Sequence, residues 1–187
     1  LKTANGPDEN GTNETLDSTR LHAMYSNDAG ANWTGTGVGD SGKDLESKTA
    51  GSETIQQQFK DWMSGAAAAS GGSQSGYLVD ADGFEWTQLI EKGLMGACFA
   101  YQITENYLTD NKIGVTVNNI DASDAAAGKY YTSMEHHWDE GYGYFADNND
   151  YSQATNRYWV KYANKSYMNG IGDEIEEAFR TGRAAIT

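Results

Sequence analysis

Cysteine and proline are nearly absent from this chain, where Cys98 and Pro7 each stand alone among 187 residues. A lone cysteine permits no internal disulfide and no zinc or iron–sulfur site built from several thiolates. Any metal must then be held by imidazole, carboxylate and other oxygen donors. Proline inside a helix removes a backbone hydrogen bond and clashes with the preceding turn, so every helix beyond Pro7 is expected to run uninterrupted. Positive charge is also scarce, with 13 Lys and Arg against 27 Asp and Glu and a net charge of −14. Phosphate backbones are bound by basic clusters that release counterions, which excludes nucleic acid as a partner class. Long apolar runs are missing too. The longest, GLMGACFAY at 93–101, is less than half of the roughly 20 residues a bilayer crossing needs, so no segment is expected to span a membrane.

What is present is helical periodicity. Residues 1–50 are rich in Gly, Asn, Asp, Ser and Thr and read as a loop-rich region, except near TLDSTRLHAMYSND, where Leu16, Arg20, Ala23 and Met24 allow a short helix. Residues 51–187 read as a helical bundle domain. In ETIQQQFKDWMSGAAAA, Ile55, Phe59, Trp62 and Met63 fall at steps of three and four, the spacing of one helix face. SGGSQSG at 70–76 then ends that helix.

The strongest helical segment is DGFEWTQLIEKGLMGACFAYQITENYLTD, with Trp86, Leu89, Ile90, Leu94, Ala97, Tyr101 and Leu108 on its core face. Gly93, Gly96, Ala97 and Ala100 lie within it. Glycine costs helix propensity, so these small residues point to the close approach of a neighbouring helix or another backbone. NKIGVTVNNIDASDAAAGKYY is a connection with a brief β-like alternation at Ile113, Val115 and Val117, too short for a sheet. Three more helical patterns follow, YYTSMEHHWDEGYGYF, DYSQATNRYWVKYANKSYM and GIGDEIEEAFRTGRAAI, the first capped by Thr132 or Ser133 with Glu135 in its first turn. The fold class that results is all-α, a bundle of roughly five or six helices.

The chemistry concentrates in MEHHWDEGYGYF at 134–145, which holds two of the three histidines. On a helix His136 and Glu140 sit one turn apart, Glu135 and Asp139 share a neighbouring face, and His137 lies three residues before Glu140. Imidazole and carboxylate together suit zinc, iron, manganese or nickel, and helical bundles build such sites from facing helices. Two ligands on one helix are insufficient. Further donors would have to come from Glu85, Glu91, Glu105, His22, Asp173 or Glu176. The competing reading is a hydrogen-bonded helix in which Trp138, Tyr142 and Phe145 pack as core.

Other candidates are weaker. The zinc-protease pattern H-E-x-x-H is missing, and no Ser/His/Asp or Cys/His spacing can be recognised. Cys98, in an apolar helix, reads as a buried small hydrophobe. DADGFE at 80–85 and DNNDY at 147–151 offer oxygens but match no calcium loop. Asp80 or Asp82 is expected to cap the following helix, and DNND to turn the chain. The glycines near 35–42 lack the strand and the Lys-Ser/Thr ending of a phosphate loop. The 12 tyrosines and 5 tryptophans offer a carbohydrate-binding surface, although helical spacing assigns most of them to core.

GFEWTQLIEKGLMGACFAYQITENYLTDNKIG, YTSMEHHWDEGYGYF, RYWVKYANK and AFRTGRAAI, in that order, resemble exported bacterial proteins related to the imelysin peptidase-like family. The resemblance implies an imelysin-like helical bundle within a larger helical protein, exported to the periplasm or the cell surface, with a lipid anchor outside this chain. It also implies a metal-linked role, because imelysin-like proteins carry a G-x-H-x-x-E motif and several relatives are tied to iron uptake. Here that motif corresponds to His137-Trp138-Asp139-Glu140, with Glu135 in the place of its glycine.

The expectation is therefore a metal-binding or metal-uptake accessory protein, taking iron or zinc at His137 and Glu140 with Glu135 and His136 as further ligands. Protonation of the histidine below about pH 6 would weaken such binding. The alternative is a non-catalytic surface interaction or structural protein that meets a cell-surface partner and uses HHWDE as a buried hydrogen-bond network. A metallopeptidase or other hydrolase ranks last, since neither an open coordination position nor a placed general base can be read. The chain opens on Leu1 and closes on RTGRAAIT, still helical by pattern, so it is expected to be a piece of a longer protein.

Overall fold

The structure, a computed structural model, describes residues 15–28, 40–70, 78–148 and 157–186. Helices dominate these residues, and the β contacts among them are two isolated bridges, Val79 with Glu85 and Asp124 with Lys129. The fold is all-α, as the periodicity predicts. Two compact units divide the chain, Leu1–Cys98 and Phe99–Thr187.

The first unit contains α1 (Ser18–Ser26), α2 (Leu45–Lys48), α3 (Glu53–Ala69) and α4 (Trp86–Leu94). Asp17 starts α1 by accepting hydrogen bonds from the Thr19 and Arg20 amides, and Asn27, left-handed at φ 53°, ends it. The core is Tyr25, Phe59, Met63, Ala66, Leu78 and Ile90. Tyr25 donates a 2.8 Å hydrogen bond to Thr49 Oγ1, and burial pushes its phenol up to about 12.

The seam between α3 and α4 is a reciprocal exchange of tryptophan for glycine. A Cβ added at Gly65 of α3 would stand 2.8 Å from the Trp86 indole of α4, and one at Gly93 of α4 would stand 2.6 Å from the Trp62 indole of α3. Each glycine thus admits the partner helix's ring, which explains why Gly93 is retained at a cost in helix propensity. Gly96 meets open space within 4 Å, but at Ala97 another backbone does approach, where the Ala50 amide donates to the Ala97 carbonyl at 2.7 Å.

Asp80 and Asp82 were expected to cap the helix that begins at Trp86. Instead Asp80 Oδ1 accepts from the amides of Asp82 and Phe84 and closes a turn, and Glu85 occupies the cap position without a side-chain bond. A short polar side chain satisfies the amides of its own turn before it can reach the helix beyond that turn. Beyond α4 the backbone continues as π-helix over Met95–Ala100 and again over Gln102–Tyr107. These wider turns carry Cys98, fully buried as expected, with its thiol pushed up to about 11 by burial.

The second unit holds α5 (Asp110–Ile113), α6 (Ser133–Gly143), α7 (Tyr158–Ala163) and α8 (Ile171–Ile186). The alternation at Ile113, Val115 and Val117 does not become a strand: Ile113 ends α5, and Val115 stands fully exposed. Turns held by Asn118 and Asp124 shape this connection instead. Phe145, Ala146, Val160 and Ala163 form the core, flanked by Ile103, Tyr142, Trp159, Ile171 and Ile175. Helix α6 packs against the second π-helical stretch, α5 and α8. Of DNNDY, Asp147 and Asn148 are described, whereas 149–151 lie outside the described residues, as do the glycines at 35–39.

Candidate functional site

Helix α6 begins with a capping box. Thr132 Oγ1 accepts from the Glu135 amide at 3.2 Å, and Glu135 Oε2 accepts from the Thr132 amide at 2.7 Å. Two of the four amides left over at a helix start are thereby satisfied, and of the two expected cap candidates, Thr132 and Ser133, it is Thr132 that starts the helix. Glu135 is buried, and its second oxygen accepts a 2.7 Å bond from Arg183 Nη1 of α8. The Thr132 amide first, and Arg183 next, hold its carboxyl below the usual range.

Arg183 grips α6 twice. Besides Glu135 it donates from Nε to Asp139 Oδ1 at 2.9 Å, so one guanidinium ties two successive turns of α6 to α8. Trp138 fills the space between them. Its Nε1 donates to the Phe179 carbonyl at 2.9 Å, and its ring lies over Gly182, where an added Cβ would come within 2.0 Å of the indole. The ring of Phe179 meets Trp138 edge-on at 5.6 Å and Tyr142 edge-on at 5.2 Å. Of Trp138, Tyr142 and Phe145, expected as core, Phe145 is core and Tyr142 packs against it, whereas Trp138 is half-buried against α8 outside that cluster.

The histidines point to different partners. His137 Nδ1 donates to the Lys112 carbonyl at 2.9 Å, which ties α6 to α5. His136 stacks on Tyr131 at 4.9 Å and brings Nε2 to 3.6 Å from Glu140 Oε2, too long for a hydrogen bond. Both members of that pair are more than a third exposed, so the pair adds little to stability. Of the four expected ligands, the structure brings His136 and Glu140 together, aims His137 at a backbone carbonyl, and gives Glu135 to Arg183.

A metal needs more than this. Among the described residues no group of three or more His, Cys, Asp and Glu side chains could hold an ion. Of the further donors considered, Glu91 pairs with Lys92 and Glu176 with Arg180. His22, in the first unit, lies 2.8 Å from the Lys60 carbonyl and 3.1 Å from Ser64 Oγ, and Ser64 itself donates to that carbonyl. Neither an activated serine nor a complete ligand set results. The described residues do not by themselves complete a metal-ligand set.

Arg183 and Gly182, which complete the arrangement around α6, were not singled out from sequence. A signal existed, since glycine inside the helical pattern AFRTGRAAI carries the same propensity cost that marks Gly93. Residues 52–187 match a family described as a domain of unknown function (DUF4856). The match spans most of the chain, and the protein belongs to that family. No curated protein and no solved structure matches it.

Proposed function

We propose that this chain is a non-catalytic structural or interaction module, in which the HHWDE segment fixes the register of α6 against α8 and α5. One observation carries this reading. Arg183 engages both Glu135 and Asp139, so the buried carboxylate among the candidate ligands is already held in an ion pair. Arginine in such a two-pronged contact positions helices to within a turn, because a one-residue slip would strand Glu135, a buried charge, without its partner. Imelysin-like kinship, and export to the periplasm or cell surface to meet a protein partner there, fit the same reading.

A second reading, metal binding or metal uptake with iron or zinc, has its own observation. Two ligands of one ion stand about 3 to 3.5 Å apart, close to the 3.6 Å between His136 Nε2 and Glu140 Oε2. His137 also makes the bond to a backbone carbonyl that commonly orients a ligating imidazole. Such a site would sit on the exposed side of α6 and would draw its third donor from another molecule.

Elemental analysis before and after chelator, with the melting temperature in each state, separates the two. The module reading expects no stoichiometric metal and no change in melting temperature. It also expects His137→Ala to destabilise the fold by about 1 kcal/mol, with chelator or without it. Stoichiometric iron or zinc whose removal lowers the melting temperature would overturn it.

A further inference from the structure

Beside the α6–α8 seam lies a cleft of about 390 Å³, walled by Trp138, Tyr142 and Phe179 and edged by Asp139, Glu176, Arg180 and Arg183. A volume of this size, with an apolar wall and a few polar groups at the rim, is the usual form of a small-ligand site. The charges at the rim select the ligand. Arg180 pairs with Glu176, and Arg183 pairs with Asp139 and Glu135, so every ionic group lining the cleft already faces one of opposite sign. An anion would have to pull an arginine from its carboxylate, and a cation would have to pull a carboxylate from its arginine. At Arg183 the exchange would strand the buried Glu135, whereas at Arg180 and Asp139, 60% and 56% exposed, it costs little. The net charge of −14 adds a general penalty for anions.

We propose that this cleft binds a neutral sugar unit of a glycan. A pyranose has an apolar C–H face that packs on aromatic rings, and hydroxyls that both donate and accept. A carboxylate offers about four lone-pair positions and a guanidinium five N–H donors, more than the ion pairs use. The hydroxyls can therefore bond to the outer edges of both pairs without breaking either. The pairs, in turn, hold their own side chains in place before the ligand arrives, which lowers the ordering cost of binding. Because the Trp138 and Phe179 rings stand edge to face at 66°, the C–H face would lie on one of them with the other at its side.

The inference rests on the module reading and names its ligand, but the two fail separately. Metal content and melting temperature decide the first, and sugar titration decides the second. The test is saturation-transfer NMR on the full chain with cellotriose, chitotriose, maltotriose and xylotriose, and with glucuronate and glucosamine as charged pyranoses. At least one neutral trisaccharide is expected to bind with a dissociation constant of about 0.1 to 1 mM, more tightly than either charged sugar. Arg180→Ala, at an exposed position, and Glu176→Gln are each expected to weaken that binding about tenfold, with the melting temperature held within about 2 °C. Should Glu176→Gln unfold the chain, Arg180→Ala alone decides the matter. The proposal is overturned if none of the neutral trisaccharides binds at about 10 mM, if a charged sugar binds more tightly, or if Arg180→Ala binds as well as the parent.

Discussion

The α3–α4 seam of the first unit and the α6–α8 seam of the second solve one problem in two ways. Both seat a tryptophan on a glycine of the facing helix. In the first unit the exchange is reciprocal, Trp62 on Gly93 and Trp86 on Gly65, so two ring-on-glycine contacts fix the register by shape. In the second there is one such contact, Trp138 on Gly182, and Arg183 supplies the second constraint by charge. A seam fixed by shape at two points has no titrating part. One fixed by shape and charge depends on ionisation, and that difference can be broken experimentally.

The largest effect is expected at the closest contact. A methyl added by Gly182→Ala would fall within 2.0 Å of Trp138, whose ring is also pinned by the Phe179 carbonyl, so the indole cannot yield without losing its hydrogen bond. Overpacking here should cost about 3 kcal/mol. Gly93→Ala meets the Trp62 ring at 2.6 Å and the Phe59 ring at 3.0 Å. It recovers close to 1 kcal/mol of helix propensity and should cost about 1 kcal/mol net. Urea unfolding of the two variants checks the order. A Gly93→Ala cost equal to that of Gly182→Ala would show that the hydrogen bond to Phe179 adds nothing to the lock.

Next comes the charge. Arg183→Met keeps much of the aliphatic stem but leaves buried Glu135 with only its cap bond and frees Asp139. A loss of about 2 kcal/mol is expected, less than for a fully buried pair because the Arg183 side chain is 32% exposed. Amide hydrogen exchange should place the loss in α6 and α8 and leave α3 and α4 protected. An equal loss of protection in α3 and α4 would contradict the separation of the two seams.

Much of this was legible in the sequence, for physical reasons. The i, i+3, i+4 spacing of Phe59, Trp62 and Met63 and of Trp86, Leu89 and Ile90 reports a buried helix face directly, because burial of that face is what makes these segments helical. The Thr132 to Glu135 spacing reports the start of α6 because a capping box is a local interaction. The partners of α6 were not legible. Arg183 lies 44 and 48 residues from the acids it holds, and no spacing rule operates over that range. The π-helical turns were hidden as well, since the apolar pattern over 95–107 reads as ordinary helix. The alternation at Val115 and Val117 reads correctly as too short for a sheet, since an alternating pair carries none without a strand to pair with.

The smallest effect separates the seams by pH. Glu135 titrates below its ordinary value of 4.5 because the Thr132 amide and Arg183 favour the carboxylate. A carboxyl whose folded value is depressed contributes stability that is full above about pH 4.5 and is lost as pH falls through the folded value. Asp139, exposed and bonded to the same guanidinium, is the other acid on that side of the contact. Amides of α6 and α8 should therefore lose protection from about pH 4.5 downward, whereas the rings of Trp62, Trp86 and Phe59 carry nothing that titrates. Glu135→Gln should remove most of this slope, since an amide oxygen can still accept from Thr132 but holds no charge for Arg183. If the acid slope of α6 and α8 survives in Glu135→Gln, the seam is not held by this carboxylate, and its register is set by Trp138 on Gly182 alone.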